Sequence, residues 1–384
     1  MTATRFRFTQ MLVVVARWST DLIGSFSRNK RILIELGEYP ELTMLISVPD
    51  VLVRAFANIV GQITLSKRLF DTQGDEANRY KEMITLVQSG SGLFNISDFV
   101  PALSRFDLQG VQAKLRKIHL RFDDMITSLL DEHSATATQR QGRPDFIDKL
   151  RASMAAKDSK DDADTISEVN VKGFVFDMFT AGTDTASIIA EWAMAEMMKN
   201  PSIMARAQEE MDRVVGRGRR LEESDVAGLP YLQAVCKEAM RLHPSTPLSI
   251  PHFSGEGCEV DGYHIPKNTQ LLVNIWAIGR DAATWEEPLE FRPERFLSGP
   301  AASVDALGNH FELIPFGAGR RICVGKLAGM VFVQYFLGML VHAFDWRVAE
   351  GEKLDMEEQF GLTMPKAVPL RAIVTPRLAP AAYA

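Results

Sequence analysis

The chain is poor in cysteine. Of 384 residues only Cys236, Cys258 and Cys323 carry a thiol, too few and too scattered for a disulfide framework or a zinc cluster, so a reducing environment fits best. Basic charge is not in excess either: the formal net charge is −6, which leaves no electrostatic footprint for a nucleic acid partner. Long apolar runs are missing as well. The run Met11–Val15 is cut by Arg17 and the polar residues behind it, so no segment is expected to span a bilayer. The first residues lack the apolar core and small-residue cleavage site of a secretory signal. By its own sequence the chain is expected to be soluble, and it contains no internal repeat.

What is present is the composition of a globular protein, 46% hydrophobic and 24% charged, long enough for two domains or one large one. Hydrophobic periodicity and helix-boundary residues predict helices over Val51–Leu65, Asp75–Ser89 and Gly110–His133, a polar break over Gln139–Pro144 and a charged link over Ala155–Asp164. Phe94–Phe99 reads as a loop. Residues 1–46 show no sustained periodicity and are left unassigned. His119 and His133, on or at the end of a helix with no second ligand nearby in sequence, read as surface or core residues rather than metal ligands.

Further on, the longest helical pattern, Ile166–Lys199, is expected to be interrupted near its middle at Ala181-Gly182-Thr183-Asp184-Thr185. There a small residue and a glycine permit close approach, and a Thr hydroxyl bonding back to a carbonyl bends the ladder. Helices are predicted from Pro201 and over Tyr231–Leu242. The second places Glu238 and Arg241 at i and i+3, on one face. His243, beside Pro244, reads as structural. Short extended pieces at Leu248–Pro251 and Thr269–Ile275 and a hairpin over Val260–Pro266 indicate a mainly helical protein with a small β region.

The most informative stretch is Phe316-Gly317-Ala318-Gly319-Arg320-Arg321-Ile322-Cys323-Val324-Gly325, followed by a helix over Gly325–Val341. Its glycines permit tight turns and close backbone approach to a flat ligand. Backbone N–H groups left unpaired by such a turn, and the helix N-terminus behind it, favour a thiolate at Cys323, which is a metal ligand.

Phe316, Gly319, Arg321, Cys323 and Gly325 meet the pattern Phe-x-x-Gly-x-Arg-x-Cys-x-Gly, and this resembles the haem loop of the cytochrome P-450 superfamily. Ala181–Thr185 resembles that family's oxygen-activating kink. Glu238 and Arg241, with Arg295 of Pro293-Glu294-Arg295-Phe296, match its Glu-Arg-Arg triad. The motifs occur in the family's order across Ile166–Leu378, and residues 47–384 are taken as a partial catalytic domain. Phe179–Thr185, His243–Leu248, Asn274–Asp281 and Phe311–Gly319 are further similar to the plant flavonoid B-ring hydroxylase group, its 3',5'-hydroxylating members above all.

The resemblance implies haem b with Cys323 as axial iron ligand, whose electron donation favours O–O cleavage. It implies that Phe316, Gly319, Arg321, Gly325 and His252 bind the cofactor, Arg321 and His252 through the propionates. Asp184 and Thr185 would deliver protons, Thr185 holding oxygen and a water. Glu238, Arg241 and Arg295 would form a buried structural triad. Ala181, Thr246, Leu248, Leu362 and Thr363 would touch a flavonoid substrate, and electrons from NADPH would arrive through NADPH-cytochrome P-450 reductase. Members of the group sit on the endoplasmic reticulum membrane through an N-terminal anchor. This chain is expected to lack that anchor, as it lacks the early Trp-x-x-x-Arg, Trp18 being followed four places on by Leu22. Thr363 stands where a smaller residue is expected in a 3',5'-hydroxylase and a hydroxyl-bearing one in a 3'-hydroxylase, so both outcomes stay open. An inactive truncated remnant and a helical interaction protein are the readings from other classes.

Overall fold

The computed structural model describes residues 44–69, 95–140, 142–155 and 166–383. Residues 1–43, the helix expected over Asp75–Ser89, Phe94 and most of the charged link after Ala155 lie outside the described residues. The chain divides into two compact units, one built from Val53–Asp184 and the other from Thr185–Ala384 with residues up to Leu52.

Helical stripes build the first unit. Helix α1 (Val48–Leu65) carries Asp50 in its first turn, where a carboxylate meets the positive end of the helix dipole. Asn95 caps α2 (Ile96–Phe99) by accepting from the Ser97 N–H at 3.1 Å, so the expected loop there is one helical turn. Helix α3 (Val111–Ala135) buries Val111, Ile118, Phe122, Ile126, Leu129 and Leu130 at helical spacing. A helix absent from the sequence reading, α4 (Phe146–Ala155), follows. Phe122, Ile126 and Leu130 form one core with Ala57 and Val60 of α1, Ile147 of α4 and Val171, Val175 and Phe179 of the next helix. Each large apolar side chain removed from water there contributes roughly 1.5–3 kcal/mol before entropy is counted.

That next helix, α5 (Glu168–Lys199), runs unbroken for 32 residues, which corrects the expected interruption. Residues 181–185 stay helical. The local irregularity is confined to side chains: Thr180 Oγ1 donates to the Phe176 carbonyl at 2.8 Å, and buried Thr183 Oγ1 has no hydrogen-bond partner among the described residues. The glycine cost of about 1 kcal/mol is small beside the packing of a helix whose later half, from Ala186 to Met197, is almost wholly buried.

The second unit gathers α6 (Pro201–Val214), α7 (Pro230–Leu242), α8 (Ile275–Ile278) and α9 (Lys326–Ala343). Helix α9 packs on α6 and α7. The helices are accompanied by three small antiparallel sheets. In the largest, β7 (Arg371–Pro376) is central, with β1 (Met44–Ser47) and β6 (Phe344–Arg347) on its two sides, Leu45 opposite Ile373 and Trp346 opposite Val374. Strands β3 (Cys258–Val260) and β4 (Tyr263–Ile265) form the expected hairpin. Asp261 and Gly262 both have positive φ, the twist-matched turn in which glycine carries no Cβ penalty.

Two expectations need correction. Leu248–Pro251 is a turn, with Ser249 at φ +60°, and the strand begins only at His252 (β2, His252–Phe253). Its partner β5 is Gln270–Leu271, so the strand expected over Thr269–Ile275 shrinks to two residues before α8. Against the expectation that no segment could span a bilayer, helices α1 and α9 are long and apolar enough to cross a membrane by length and composition. Yet 61% of each is buried inside the protein, as in a core helix.

Charge pairing gives the fold a pH dependence. Burial works to raise the pKa values of Asp148, Asp212 and Glu358, but hydrogen bonds from Arg140, from Arg217 and Arg377, and from His243 and Trp276 outweigh it and hold all three below their ordinary values. The hydrogen bond from Arg219 does the same for Asp225. Burial raises Asp177 and Glu223, an opposing and smaller group. A carboxyl depressed in the folded state binds fewer protons there than in the unfolded chain. Its stabilisation is therefore full above the ordinary carboxylate value of about 4 and is lost as pH falls through the folded value. Denaturant midpoints measured down the pH scale are expected to drop below about pH 4, and Asp212→Asn is expected to flatten that drop.

Candidate functional site

The cysteine loop is closed by its own backbone. Cys323 N–H donates to the Phe316 carbonyl at 2.9 Å, Gly317 N–H to Ile314 at 2.9 Å and Ile322 N–H to Gly319 at 3.2 Å. Gly317 and Gly319 take φ of 72° and 70°, and a Cβ at either would meet nothing within 4 Å, so the turn is left-handed twice and open on that side. Phe316 packs on the first turn of α9, where a Cβ at Gly329 would lie 3.2 Å from its ring. The loop is pinned to the helix it leads into.

Cys323 stands immediately before that helix, whose N-cap is Gly325. Its sulfur is reached by solvent. Partial desolvation pushes the thiol pKa up, while the Gly325 N–H and the Lys326 ammonium pull the other way. Val324 is 100% exposed and Leu327 45%, so the thiol has uncovered apolar side chains on the residues that follow it, and Arg320 and Arg321 before it are exposed as well.

These residues fit the haem that the resemblance implies. Among the described residues the clustered metal-ligand set is His133, Asp145 and Asp148, which does not include Cys323, so the loop offers one soft ligand. A single thiolate suits iron already held by a macrocycle, whereas a structural zinc takes four protein ligands. Uncovered apolar side chains and an open glycine face suit a flat apolar ring, and the arginines suit its carboxylates.

Glu238, Arg241 and Arg295, far apart in sequence, are brought together. Arg241 Nε and Nη2 each donate to Glu238 at 2.8 Å, Arg295 Nε donates at 3.0 Å and the Arg292 N–H at 2.7 Å. Arg241 also donates to the carbonyls of Gly279, Pro288 and Glu290. The Glu238 and Arg241 side chains are fully buried. Every charge has a geometric partner, which is the condition under which burying an ion pair is tolerated. Gly279 lies so close under the Arg241 backbone that a Cβ would collide with its carbonyl.

Other expected site residues are placed as follows. Ala181, Asp184 and Thr185 lie on α5, Ala181 one turn ahead of the other two. His252 lies exposed on β2, paired with Leu271. Thr246 and Leu248 are half-buried in the turn before β2, and Leu362 and Thr363 are half-buried in the turn before β7. Met364 N–H donates to the Ser245 carbonyl at 2.9 Å, which sets these two turns side by side.

Two charged clusters escaped the sequence reading. His133 Nε2 lies 2.8 Å from Asp145 Oδ2, and Arg140 donates to both Asp148 oxygens and lies 3.4 Å from Asp145. The guanidinium satisfies the carboxylates that a metal would otherwise need. The second cluster joins His243 to Glu196 and Glu358 beside a cleft of about 480 Å³ lined also by Lys199, Arg280 and Glu357. The first depends on how the chain turns between Arg140 and Asp145, and the second on residues brought in from 47 and 115 positions away.

A family model described as cytochrome P-450 matches residues 30–370. The chain is 54% identical over 338 residues to flavonoid 3',5'-hydroxylase 2 of Petunia hybrida, covering 88% of this chain and 66% of that protein. It is 53% identical to flavonoid 3',5'-hydroxylase of Solanum melongena, covering 87% and 64%. Identity to flavonoid 3'-monooxygenase of Arabidopsis thaliana is 46%, with 94% and 69% covered. The chain thus spans about two thirds of the length of these relatives. Among solved structures, a zebra fish cytochrome P-450 with abiraterone superposes with a TM-score of 0.73 at 26% identity, covering 97% of this chain and 78% of that one.

Proposed function

The chain belongs to the cytochrome P-450 family, and on that premise we propose that it is a haem-thiolate monooxygenase hydroxylating the flavonoid B-ring at the 3' and 5' positions, with O2 and electrons from NADPH. One observation carries the reading: an exposed cysteine, closed into a loop with two left-handed glycines, stands at the start of a largely buried helix and next to uncovered apolar side chains. Haem, when bound, supplies the iron at which dioxygen is activated for insertion of one oxygen atom into an aromatic C–H bond.

The chain's own residues hold and protect that chemistry. Cys323 Sγ would hold the iron, with the Gly325 N–H moderating the charge on the sulfur. Phe316, Gly319 and Gly325 shape the loop, while Arg321 offers its guanidinium and His252 a ring N–H to the propionates. Thr185 holds a proton at its hydroxyl and Asp184 passes protons to it. Ala181, Thr246, Leu248, Leu362 and Thr363 face the substrate, and the triad around Glu238 keeps the scaffold rigid. The flavonoid substrate is supported by the names of the relatives. The electron donor of this proposal is NADPH-cytochrome P-450 reductase, and the site of action is the endoplasmic reticulum membrane. A 3'-hydroxylase is the second reading, favoured by the hydroxyl of Thr363.

Incubating the chain with haem, reductase and naringenin or dihydrokaempferol tests both. A B-ring oxidised at 3' and 5' is expected. Product at 3' alone selects the second reading, and no product from haem-loaded protein overturns both. Thr185→Ala keeps a strong helix former on α5, so stability is preserved. It is expected to lower product formation by on the order of 10² while NADPH consumption continues; unchanged coupling of NADPH to product contradicts the assigned role.

A further inference from the structure

His243 follows α7 directly and is buried at 5% exposure. Its imidazole lies flat on the indole of Trp192, with centroids 4.0 Å apart and planes 2° from parallel. Nε2 is 2.9 Å from Glu196 Oε1 and Nδ1 is 3.2 Å from Glu358 Oε1. Each ring nitrogen thus lies within hydrogen-bond distance of a carboxylate oxygen, one from α5 and one from the segment before β7. Glu358 is firmly ionised: it also accepts from Trp276 Nε1 at 2.8 Å and Arg280 at 2.7 Å. Asn200 Nδ2 reaches Glu196 at 3.4 Å and Lys199 lies 3.7 Å from it.

The same knot holds both limbs of the turn that carries Leu362 and Thr363. On the entering limb the Glu358 backbone pairs antiparallel with that of Lys366, and Gln359 N–H donates to the Pro365 carbonyl at 2.9 Å. On the leaving limb the Met364 carbonyl accepts from Trp192 Nε1 at 3.0 Å, and the Met364 N–H donates to Ser245. The Lys366 ammonium lies 4.5 Å from the centre of the Trp192 ring. Phe360 and its neighbours up to Thr363 project from this base, with Phe360 73% exposed. The direction of the turn therefore depends on one stacked ring pair and the carboxylates clamped to it.

We propose that His243 is a positioning residue for substrate: clamped between Glu196 and Glu358 and backed by Trp192, it fixes the turn Gln359–Pro365. It thereby sets where Leu362 and Thr363 meet the B-ring, and so the ratio of singly to doubly hydroxylated product. The inference rests on the proposed function for the substrate role of that turn, but the anchoring itself does not.

His243→Gln tests it, because glutamine keeps one donor and turns an acceptor toward a carboxylate. Amide hydrogen exchange over residues 357–367 is expected to accelerate roughly tenfold, with haem content unchanged and the product ratio shifted toward single hydroxylation. In the double variant His243→Gln with Glu358→Gln, two amides can pair again, so both readouts are expected to return part of the way. A purely structural histidine would not show that rescue. Trp276→Phe removes one donor from Glu358 without touching the ring pair, and is expected to give a smaller shift of the same sign even if His243→Gln does not fold. Unchanged exchange overturns the anchoring. Faster exchange with an unchanged ratio overturns the positioning role. A wild-type chain that hydroxylates no flavonoid overturns the functional reading and the ratio part of the proposal with it, while exchange still decides the anchoring.

Discussion

Arg241→Ala is expected to yield little or no folded protein. Its guanidinium is fully buried and is shared by Glu238 and three backbone carbonyls. Truncation leaves Glu238, itself fully buried, with only Arg295 and the Arg292 N–H, strands the Gly279 and Pro288 carbonyls and opens a void beside Trp285. Breaking a buried pair by removing one partner costs about 3–5 kcal/mol, against a total stability of roughly 5–15 kcal/mol for a typical domain. Arg241→Lys keeps the charge but loses the two-pronged contact to Glu238, so an intermediate loss is expected. The contrast is Arg206→Ala. Its pair with Glu294 at 2.7 Å is about half exposed on both sides, and such pairs contribute about 0–1 kcal/mol. Thermal melts and soluble yield of the three variants check the order; an Arg241→Ala protein as stable as Arg206→Ala would remove the triad from the account of the fold.

Cys323→Ser is expected to abolish product formation while leaving the fold intact. The side chain is solvent-reached, and the backbone bonds that close the loop, Cys323 N–H to Phe316 and Lys326 N–H to the Cys323 carbonyl, do not involve the sulfur. The two residue types differ little in size, so the apoprotein melt should barely move. A hydroxyl at this position is a far poorer donor to iron than a thiolate, and the electron release that favours O–O cleavage goes with the sulfur. Turnover below detection with an unchanged apoprotein melt is the expected pair of results. Wild-type rates in the variant would mean that another residue holds the cofactor.

The sequence made some of this legible and hid the rest for physical reasons. The cysteine loop could be read because its chemistry is local: the glycines, the arginine, the sulfur and the helix start lie within ten residues, Phe316 to Gly325. The Glu238–Arg241 pair was legible because i and i+3 share a helix face, and Arg295 only through a resemblance. By contrast, the partners of His243 are 47 and 115 residues away, and nothing beside Pro244 signals them. His133 likewise reads as an ordinary helix residue until the turn after Arg140 brings Asp145 under it. At Ala181–Thr185 local propensity predicted a break and tertiary packing overrode it. Strands two residues long, such as β2 and β5, carry no periodicity to detect, and the turn at Leu248–Pro251 was set by neighbouring prolines and the strained Ser249 rather than by hydrophobic pattern.

The ferrous carbon monoxide difference spectrum of the haem-loaded chain tests the central assignment most directly, because it reports the atom opposite the bound gas. With Cys323 Sγ on the iron, the account predicts the long-wavelength Soret band of thiolate ligation in wild type and its loss in Cys323→Ser. A fully haem-loaded, well-folded wild-type chain whose band stays at the position of histidine ligation would contradict it.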